Sequence, residues 1–138
     1  MSSAAWASVS ASQALAVAGG AAIGALLRWV AGLALNAAWA GFPLGTWLVN
    51  CIGGFAIGVA VVWFARSPDE LARLFWITGL LGGFTTFSAF SAESLDLLQR
   101  QQWAMALLHS GAHLFGALAC TALGYALARS WLDSGLGS

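Results

Sequence analysis

Four long apolar runs, separated by short polar links, dominate the hydrophobic pattern of this chain. The runs cover about 13–38, 45–65, 71–98 and 103–128. Each has roughly the 20 residues that an α-helix needs to cross the hydrocarbon core of a bilayer. The links are a few residues long, so no water-soluble domain fits between the runs. The pattern predicts an all-α integral membrane protein whose residues 1–138 form one domain of four transmembrane helices.

The third run contains a segment that a plain membrane anchor would not carry. It reads Gly83-Phe84-Thr85-Thr86-Phe87-Ser88-Ala89-Phe90-Ser91, with four hydroxyl groups and three phenylalanines, and Gly79 and Gly82 lie just upstream. Unpaired polar groups are costly in lipid, so such a stretch has to be buried in protein or line a cavity. The segment therefore predicts a broken third helix that carries an ion site.

Composition excludes several classes of protein. The chain is 60% hydrophobic and only 7% charged, with a mean hydropathy of +0.83. Soluble domains carry about 25% charged residues, so this chain cannot cover a water-facing surface. Its formal net charge is zero and it contains no lysine. Binding to nucleic acid through phosphate neutralisation is therefore not expected.

The cysteines and the N-terminus offer no separate chemistry. Cys51 and Cys120 lie in apolar runs, which favours small buried hydrophobes over a disulfide or a metal site. Residues 1–12 contain no basic residue before the first apolar run, so we expect no cleaved signal peptide and a retained first span.

Tryptophan placement supports the predicted span boundaries. Indole rings prefer the membrane interface, and only Trp29 lies deep within a span. The tryptophans near predicted span ends are Trp6, Trp39, Trp47, Trp63, Trp76, Trp103 and Trp131.

The arginines are divided almost evenly between the two sides of the membrane. Four spans place Arg66, Arg73 and Arg129 on one side and Arg100 on the other, with Arg28 inside the first span. Under the positive-inside rule, so small a difference determines the orientation in the membrane only weakly. Insertion in both orientations would permit an antiparallel homodimer, and a single, weakly set orientation remains the alternative.

Small residues recur every four positions along three of the spans. These rows are Gly20 and Gly24; Gly54 and Gly58; and Ala112, Gly116, Cys120 and Gly124. Such spacing lets helix backbones approach closely in lipid. We expect some of these positions to form a seam between subunits, the alternative being packing within one subunit.

Three polar side chains at membrane depth are candidate functional residues. Arg28 can hold an anion, cap carbonyls of a broken helix or extend to the interface, and a structural or vestibule role is favoured. Asn50 offers two amide donors, or simply joins helices by a hydrogen bond. Glu93 closes the third-span segment, and a structural or interfacial role is favoured over transport.

The fourth span carries His109 and His113, one helical turn apart on one face. Two histidines at this spacing can bind zinc. Because no Cys, Asp or Glu is positioned with them in this span as a metal ligand, the pattern favours a polar track along a permeation path over a metal site.

The phenylalanines of the third-span segment recur every three residues, at Phe84, Phe87 and Phe90. Lipid contact or core packing is the usual reason for such a stripe. However, an aromatic ring has a positive edge. Ring edges, amide N–H groups and hydroxyls can together replace the hydration shell of a small anion without holding it too tightly.

At this point the motifs match a known family. The segment Gly83–Ser91 closely resembles the third-helix motif of the CrcB/Fluc fluoride channels. The stretch Gly20–Arg28 (GAAIGALLR) resembles the first-helix motif of that family, and Gly45–Gly58 (GTWLVNCIGGFAIG) resembles the second. The resemblance covers nearly the whole chain, and the combination of motifs is specific.

The resemblance implies a passive fluoride-selective channel, not an enzyme, in the bacterial inner membrane, where outward flow lowers cytoplasmic fluoride. It implies a dual-topology antiparallel homodimer with two pores, in which Asn50, Phe87 and Phe90 contact fluoride. Hydroxyls of Ser88 and Ser91 are expected to assist. It further implies a structural sodium ion at the dimer centre, held by backbone carbonyls of Gly82 and Thr85.

The fourth span departs from the family pattern. His109 stands where the family often has tyrosine, and His113 where it has serine. Both can donate a hydrogen bond, so they remain candidate pore residues. Histidine also titrates near neutral pH, and we expect His113 to influence conduction or its pH dependence.

Two other functions remain open on the residues alone. A proton-coupled small multidrug transporter is also a four-span, dual-topology protein, but it needs a membrane-embedded carboxylate early in the chain, and the first span has none. A non-conducting structural membrane protein would explain the glycine-rich packing alone.

Overall fold

The computed structural model describes residues 9–36 and 42–135. Four helical spans in these ranges are long and apolar enough to cross a membrane, and no residue of the two ranges is in a strand. The spans are Ala11–Leu35, Leu44–Arg66, Glu70–Gln99 and Trp103–Ser134. The prediction of an all-α, multi-pass membrane protein is therefore confirmed.

Some predictions fall on parts of the chain outside the described residues. These are the last two residues of the first predicted span, most of the N-terminal segment, and the interface positions of Trp6 and Trp39. Within the described ranges the cysteines are free, and Cys51 is buried.

The first helix, α1 (Ala11–Leu35), begins at a polar cap. The Ser10 hydroxyl accepts a hydrogen bond from the backbone N–H of Gln13, and the Gln13 side chain accepts one from the backbone N–H of Ser10. This reciprocal capping satisfies two of the amide groups left open at a helix start. The Gln13 amide also donates to Glu70 Oε1 at 2.8 Å, which joins the starts of the first and third spans.

The second helix, α2 (Leu44–Arg66), and the last helix, α6 (Trp103–Gly135), run past the ends predicted for them. The excess is largest in α6, which was expected to stop near residue 128. Its last turns are held by charge pairs: Asp133 pairs with Arg66 and lies 3.7 Å from Arg129 Nε. The hydrophobic thickness of a bilayer limits the apolar part of a helix but does not stop its backbone hydrogen bonding.

The third span consists of several segments. It starts with α3 (Glu70–Arg73), continues through a π-helical stretch (Leu74–Leu81) and the short α4 (Gly82–Phe84), and ends with α5 (Phe87–Gln99). Thr85 and Thr86, between α4 and α5, have extended backbone conformations, with ψ of 157° and 114°. The Thr86 hydroxyl accepts from Ala89 N–H at 3.1 Å and so caps α5, a role that threonine favours. Because of the interruption, Phe84 and Phe87 do not share one continuous helix face.

The interruption changes the packing partner of the third span. Before it, the π-helical stretch and α4 pack on α1; after it, α5 packs on α6. The second and last helices form the other close pair. The redirection of α5 therefore brings the end of the Gly83–Ser91 segment, and Glu93 behind it, against the histidines of α6.

Glycines allow both close helix pairs. A Cβ on Gly24 would come within 2.7 Å of the backbone nitrogen of Phe84, and one on Gly58 within 2.8 Å of that of Tyr125. Gly20, Gly54 and Gly124 are equally crowded by backbone atoms of the same chain. Packing within one subunit, the alternative given for these rows, therefore accounts for the small size of these five glycines.

Candidate functional site: the interruption of the third span

Asn50 on α2 pairs with the backbone at the interruption. Its Oδ1 accepts a hydrogen bond from Thr86 N–H at 2.8 Å, and its Nδ2 donates to the Thr86 carbonyl at 3.1 Å. Thr86 is buried, and backbone groups buried away from water need partners. The amide of Asn50 therefore replaces helical hydrogen bonds that Thr86 lacks.

The same arrangement leaves two carbonyls without their helical donors. In a continuous helix Gly82 would accept from Thr86 N–H and Thr85 from Ala89 N–H. Those donors instead bond to Asn50 Oδ1 and to Thr86 Oγ1. The carbonyl of Gly83, between them, accepts from Arg28 Nε at 3.1 Å. Of the roles considered for Arg28, capping of the broken helix is therefore the one the structure shows.

Phe90 and the two histidines form a compact aromatic cluster. The Phe90 ring stacks on His109 with centroids 5.4 Å apart and an interplanar angle of 15°, and its centroid lies 4.9 Å from that of His113. Phe42 meets His109 edge-on at 5.6 Å. His109 is 0% and His113 5% exposed. Sequence-predicted pore residues from the third and fourth spans thus meet in one place.

Glu93, six residues before the end of the third span, lies in this cluster. Its Oε1 accepts from the Thr46 hydroxyl at 2.6 Å, and its Oε2 lies 3.3 Å from His109 Nε2. Ser94 Oγ lies 3.0 Å from His109 Nδ1. The prediction from the sequence considered only carboxylates in the span of the histidines, and this carboxylate comes from the third span.

The orientation of Asn50 determines which His113 nitrogen carries the proton. Only one orientation of the amide satisfies both Thr86 groups, so Nδ2 is the atom 3.2 Å from His113 Nδ1. An amide nitrogen only donates, so Nδ1 accepts and the neutral ring carries its proton on Nε2. Among the described residues, His113 Nε2 has no hydrogen-bond partner although it is buried.

Two cavities border the cluster, and Thr86 lines both. The larger, about 710 Å³, is lined by Asn50, Thr85, Phe90 and His113 among other residues. The smaller, about 330 Å³, is lined by Arg28 and Glu93 together with Thr46 and Asn36.

The remaining predicted pore residues lie outside the cluster. The Phe87 ring is 78% exposed and contacts Phe90 with centroids 5.3 Å apart. Ser88 and Ser91 are exposed. The Ser91 hydroxyl donates to the Phe87 carbonyl at 2.8 Å, while that of Ser88 lies 3.2 Å from Thr86 Oγ1.

Sequence reasoning missed three contributors to the site. Thr46 precedes Asn50 by one helical turn, a spacing that could have placed it on the same face. Ser94 follows Glu93 directly, yet no pattern linked it to α6. Phe42 lies in the link before α2, where a lone aromatic carries no signal of its target.

The fold and the site together define a multi-pass helical membrane protein with polar groups gathered around an interrupted span. The family model described as "CrcB-like protein, Camphor Resistance (CrcB)" matches residues 15–125. The chain therefore belongs to the CrcB-like family, which confirms the resemblance drawn from its motifs.

Curated relatives agree with this assignment over almost their whole length. The chain is 49% identical over 120 residues to a protein of Acinetobacter baylyi, which covers 86% of this chain and 94% of the relative. It is 53% identical over 113 residues to one of Thiobacillus denitrificans, covering 80% and 91%. A protein of Bordetella bronchiseptica is 51% identical over 117 residues, covering 83% and 90%. All three relatives are named "Fluoride-specific ion channel FluC".

Proposed function

We propose that this protein is a fluoride-selective ion channel, and not an enzyme, that lets fluoride leave the bacterial cytoplasm passively across the inner membrane. The observation that carries the proposal is the interrupted third span, where Asn50, Phe90 and His113 line one cavity at membrane depth. Membership of a family whose curated relatives are named fluoride-specific channels supports the choice of ion.

The route runs between the two cavities, past Thr86. Fluoride enters near Arg28 in the smaller cavity, where the guanidinium attracts an anion, and leaves through the larger one. Between them it is passed among weak positive poles: the Nε2–H of His113 and the ring edges of Phe87 and Phe90. Several weak donors in sequence allow both entry and release.

Asn50 contributes to this route mainly by positioning. Both of its amide hydrogens are engaged by Thr86 O and His113 Nδ1. It therefore orients a buried His113 donor toward the anion, whereas the family resemblance implies direct contact between its own amide and fluoride.

The functional unit in this proposal is an antiparallel homodimer with two pores. Exposed Gly82 and Ser88 and half-buried Thr85 lie at membrane depth, where lipid offers no hydrogen bonds. A second copy of the chain would cover them. The near balance of the arginines permits insertion in both orientations.

A sodium ion fits the interruption chemically. The carbonyls of Gly82 and Thr85 have lost their helical donors, and carbonyls of an unwound helix are suitable ligands for a hard cation. They would hold the ion at the dimer centre, where it supplies positive charge between the two subunits and is not transported.

Efflux from liposomes tests the proposal. Purified protein is reconstituted in vesicles loaded with fluoride, and release is followed with a fluoride electrode after the membrane potential is clamped with an ionophore. We expect rapid release without a proton gradient. Transport that requires a pH gradient would indicate the multidrug-transporter alternative, and absence of any flux would indicate a structural protein.

A further inference from the structure

We propose that Glu93, His109 and His113 form a binding site for a divalent transition metal of the zinc type. Their ligand atoms all lie within 4.8 Å of one another. The sequence supplied only the histidine pair; the redirected α5 supplies the carboxylate. This site is separate from the sodium ion, which would be bound by backbone carbonyls.

Three buried atoms without hydrogen-bond partners carry the proposal. Among the described residues these are Glu93 Oε2, His109 Nε2 and His113 Nε2. Glu93 Oε2 and His109 Nε2 face each other at 3.3 Å without forming a hydrogen bond, and leaving buried polar atoms without hydrogen bonds in a low-dielectric interior is costly. A water molecule can also satisfy three polar atoms, but two imidazoles and one carboxylate are the donor set that binds zinc with a fourth position open.

The surrounding contacts already hold two of the ligands in place. Ser94 lies 3.0 Å from His109 Nδ1, and Phe90 stacks on the same ring, which fixes its orientation. Thr46 holds the other oxygen of Glu93. Such outer contacts orient metal ligands and are typical of metal sites.

Metal binding has to compete with Asn50 for His113. When a metal binds Nε2, the proton of the neutral ring has to be on Nδ1 instead. There it would face the amide donor of Asn50. The ring therefore has to turn away from Asn50 as the ligand atoms approach to the roughly 2 Å metal–ligand distances of zinc. Zinc and fluoride thus use alternative states of one imidazole, and bound zinc is expected to slow fluoride flux.

Both cavities border the proposed site. Glu93 lines the smaller cavity and His113 the larger. A hydrated ion that enters either cavity therefore comes next to at least one of the three ligand residues.

The test measures Zn²⁺ binding to the purified full-length protein, with any affinity tag removed, by calorimetry and by visible absorption of bound Co²⁺. We expect about one ion per chain. His113→Ser and His109→Tyr, each of which replaces an imidazole by the residue type usual in the family, should weaken binding at least tenfold.

Two control variants make the result specific. Ser110→Ala, on the same helix but outside the cluster, should bind like the parent protein, and so should Cys51→Ala/Cys120→Ala, which removes the only thiols.

Equal Zn²⁺ binding by the parent and the double variant His109→Tyr/His113→Ser would overturn the proposal, since the chain contains only these two histidines. Binding does not depend on conduction. Zn²⁺ binding without fluoride flux would refute the channel but not the metal site. Fluoride flux without Zn²⁺ binding would refute the metal site but not the channel.

Discussion

The two sides of the interrupted third span differ in exposure and in polarity. On the α4 side, the carbonyls of Gly82 and Thr85 lack their helical donors, and Gly82 is exposed. On the α5 side, Phe90 lies against two buried histidines, and His113 presents an unpartnered donor. One side offers negative poles to a cation, and the other offers positive poles to an anion.

The difference arises from two side chains. Because Asn50 pairs with both backbone groups of Thr86 and also with His113, it frees the Gly82 carbonyl on one side and orients the donor on the other. The Thr86 hydroxyl engages Ala89 N–H and so frees the Thr85 carbonyl. An interrupted helix held by one amide can therefore present opposite polarities within a few residues.

Loss of Asn50 should affect both sides, so it is expected to have the largest effect. Asn50→Ala leaves the buried Thr86 groups without partners, at a cost of about 1–3 kcal/mol each. We expect fluoride efflux to fall to the level of protein-free vesicles and thermal stability in detergent to decrease. Asn36→Ala, which removes the other asparagine amide of the chain, is the control and should lower stability less. Normal efflux from Asn50→Ala with an intact fold would contradict the assigned route.

The aromatic side is tested by Phe87→Ile. Its ring is 78% exposed in the subunit, so the substitution should change subunit stability by about 0.5 kcal/mol or less. Efflux should nevertheless drop at least about tenfold, since an aliphatic side chain has no positive ring edge. The matched variant Leu95→Ile changes another exposed side chain of α5 and should conduct normally. Equal fluoride efflux rates in the two variants would show that Phe87 does not line the pore.

The carbonyl side is tested by exchanging the cation. Replacing Na⁺ on both sides of the membrane with a large organic cation should weaken the dimer and reduce efflux, while the subunit fold is retained. Dimer content is measured by cross-linking and subunit fold by circular dichroism. Dimer content and efflux that are the same in every cation would exclude a sodium site built from Gly82 and Thr85.

The smallest effect is expected from His113→Ser, which keeps a hydrogen-bond donor in the larger cavity. A protonated His113 could no longer accept from Asn50, and it faces Glu93 and His109 as further titratable groups. Because burial disfavours the charged imidazole, efflux of the parent protein should stay nearly constant below about pH 8 and fall only toward about pH 5, after subtraction of HF leakage measured in protein-free vesicles. The variant should show a flatter profile. Identical pH profiles of the parent protein and the variant would show that titration of His113 does not control efflux.

The sequence predicted much of this fold because membrane spans are read from length and hydropathy. The four spans were found with most ends within two residues, and glycine at four-residue spacing correctly indicated close helix contacts. It could not say which helices those glycines join. The contacts depend on how each helix is rotated about its own axis. A membrane helix is apolar both where it faces lipid and where it faces protein, so its hydrophobic pattern does not specify this rotation.

The site was predicted in its components but not in its connections. Asn50, Phe90 and the histidines were identified from their chemistry and from family motifs. The two bonds of Asn50 to Thr86 and the position of Glu93 beside His109 follow from the change in packing partner at Thr85 and Thr86. Such a long-range consequence of a local interruption leaves no periodic signal in the chain.

Selectivity for fluoride over chloride, measured in the same vesicles, is the most direct test that this protein is a fluoride-selective channel. Parent protein is reconstituted in liposomes that contain both anions at equal concentration, and release is followed with two ion-specific electrodes after addition of an ionophore. A fluoride-selective channel should release fluoride rapidly and should release chloride no faster than protein-free vesicles do. Comparable release of both anions, or of neither, would contradict it.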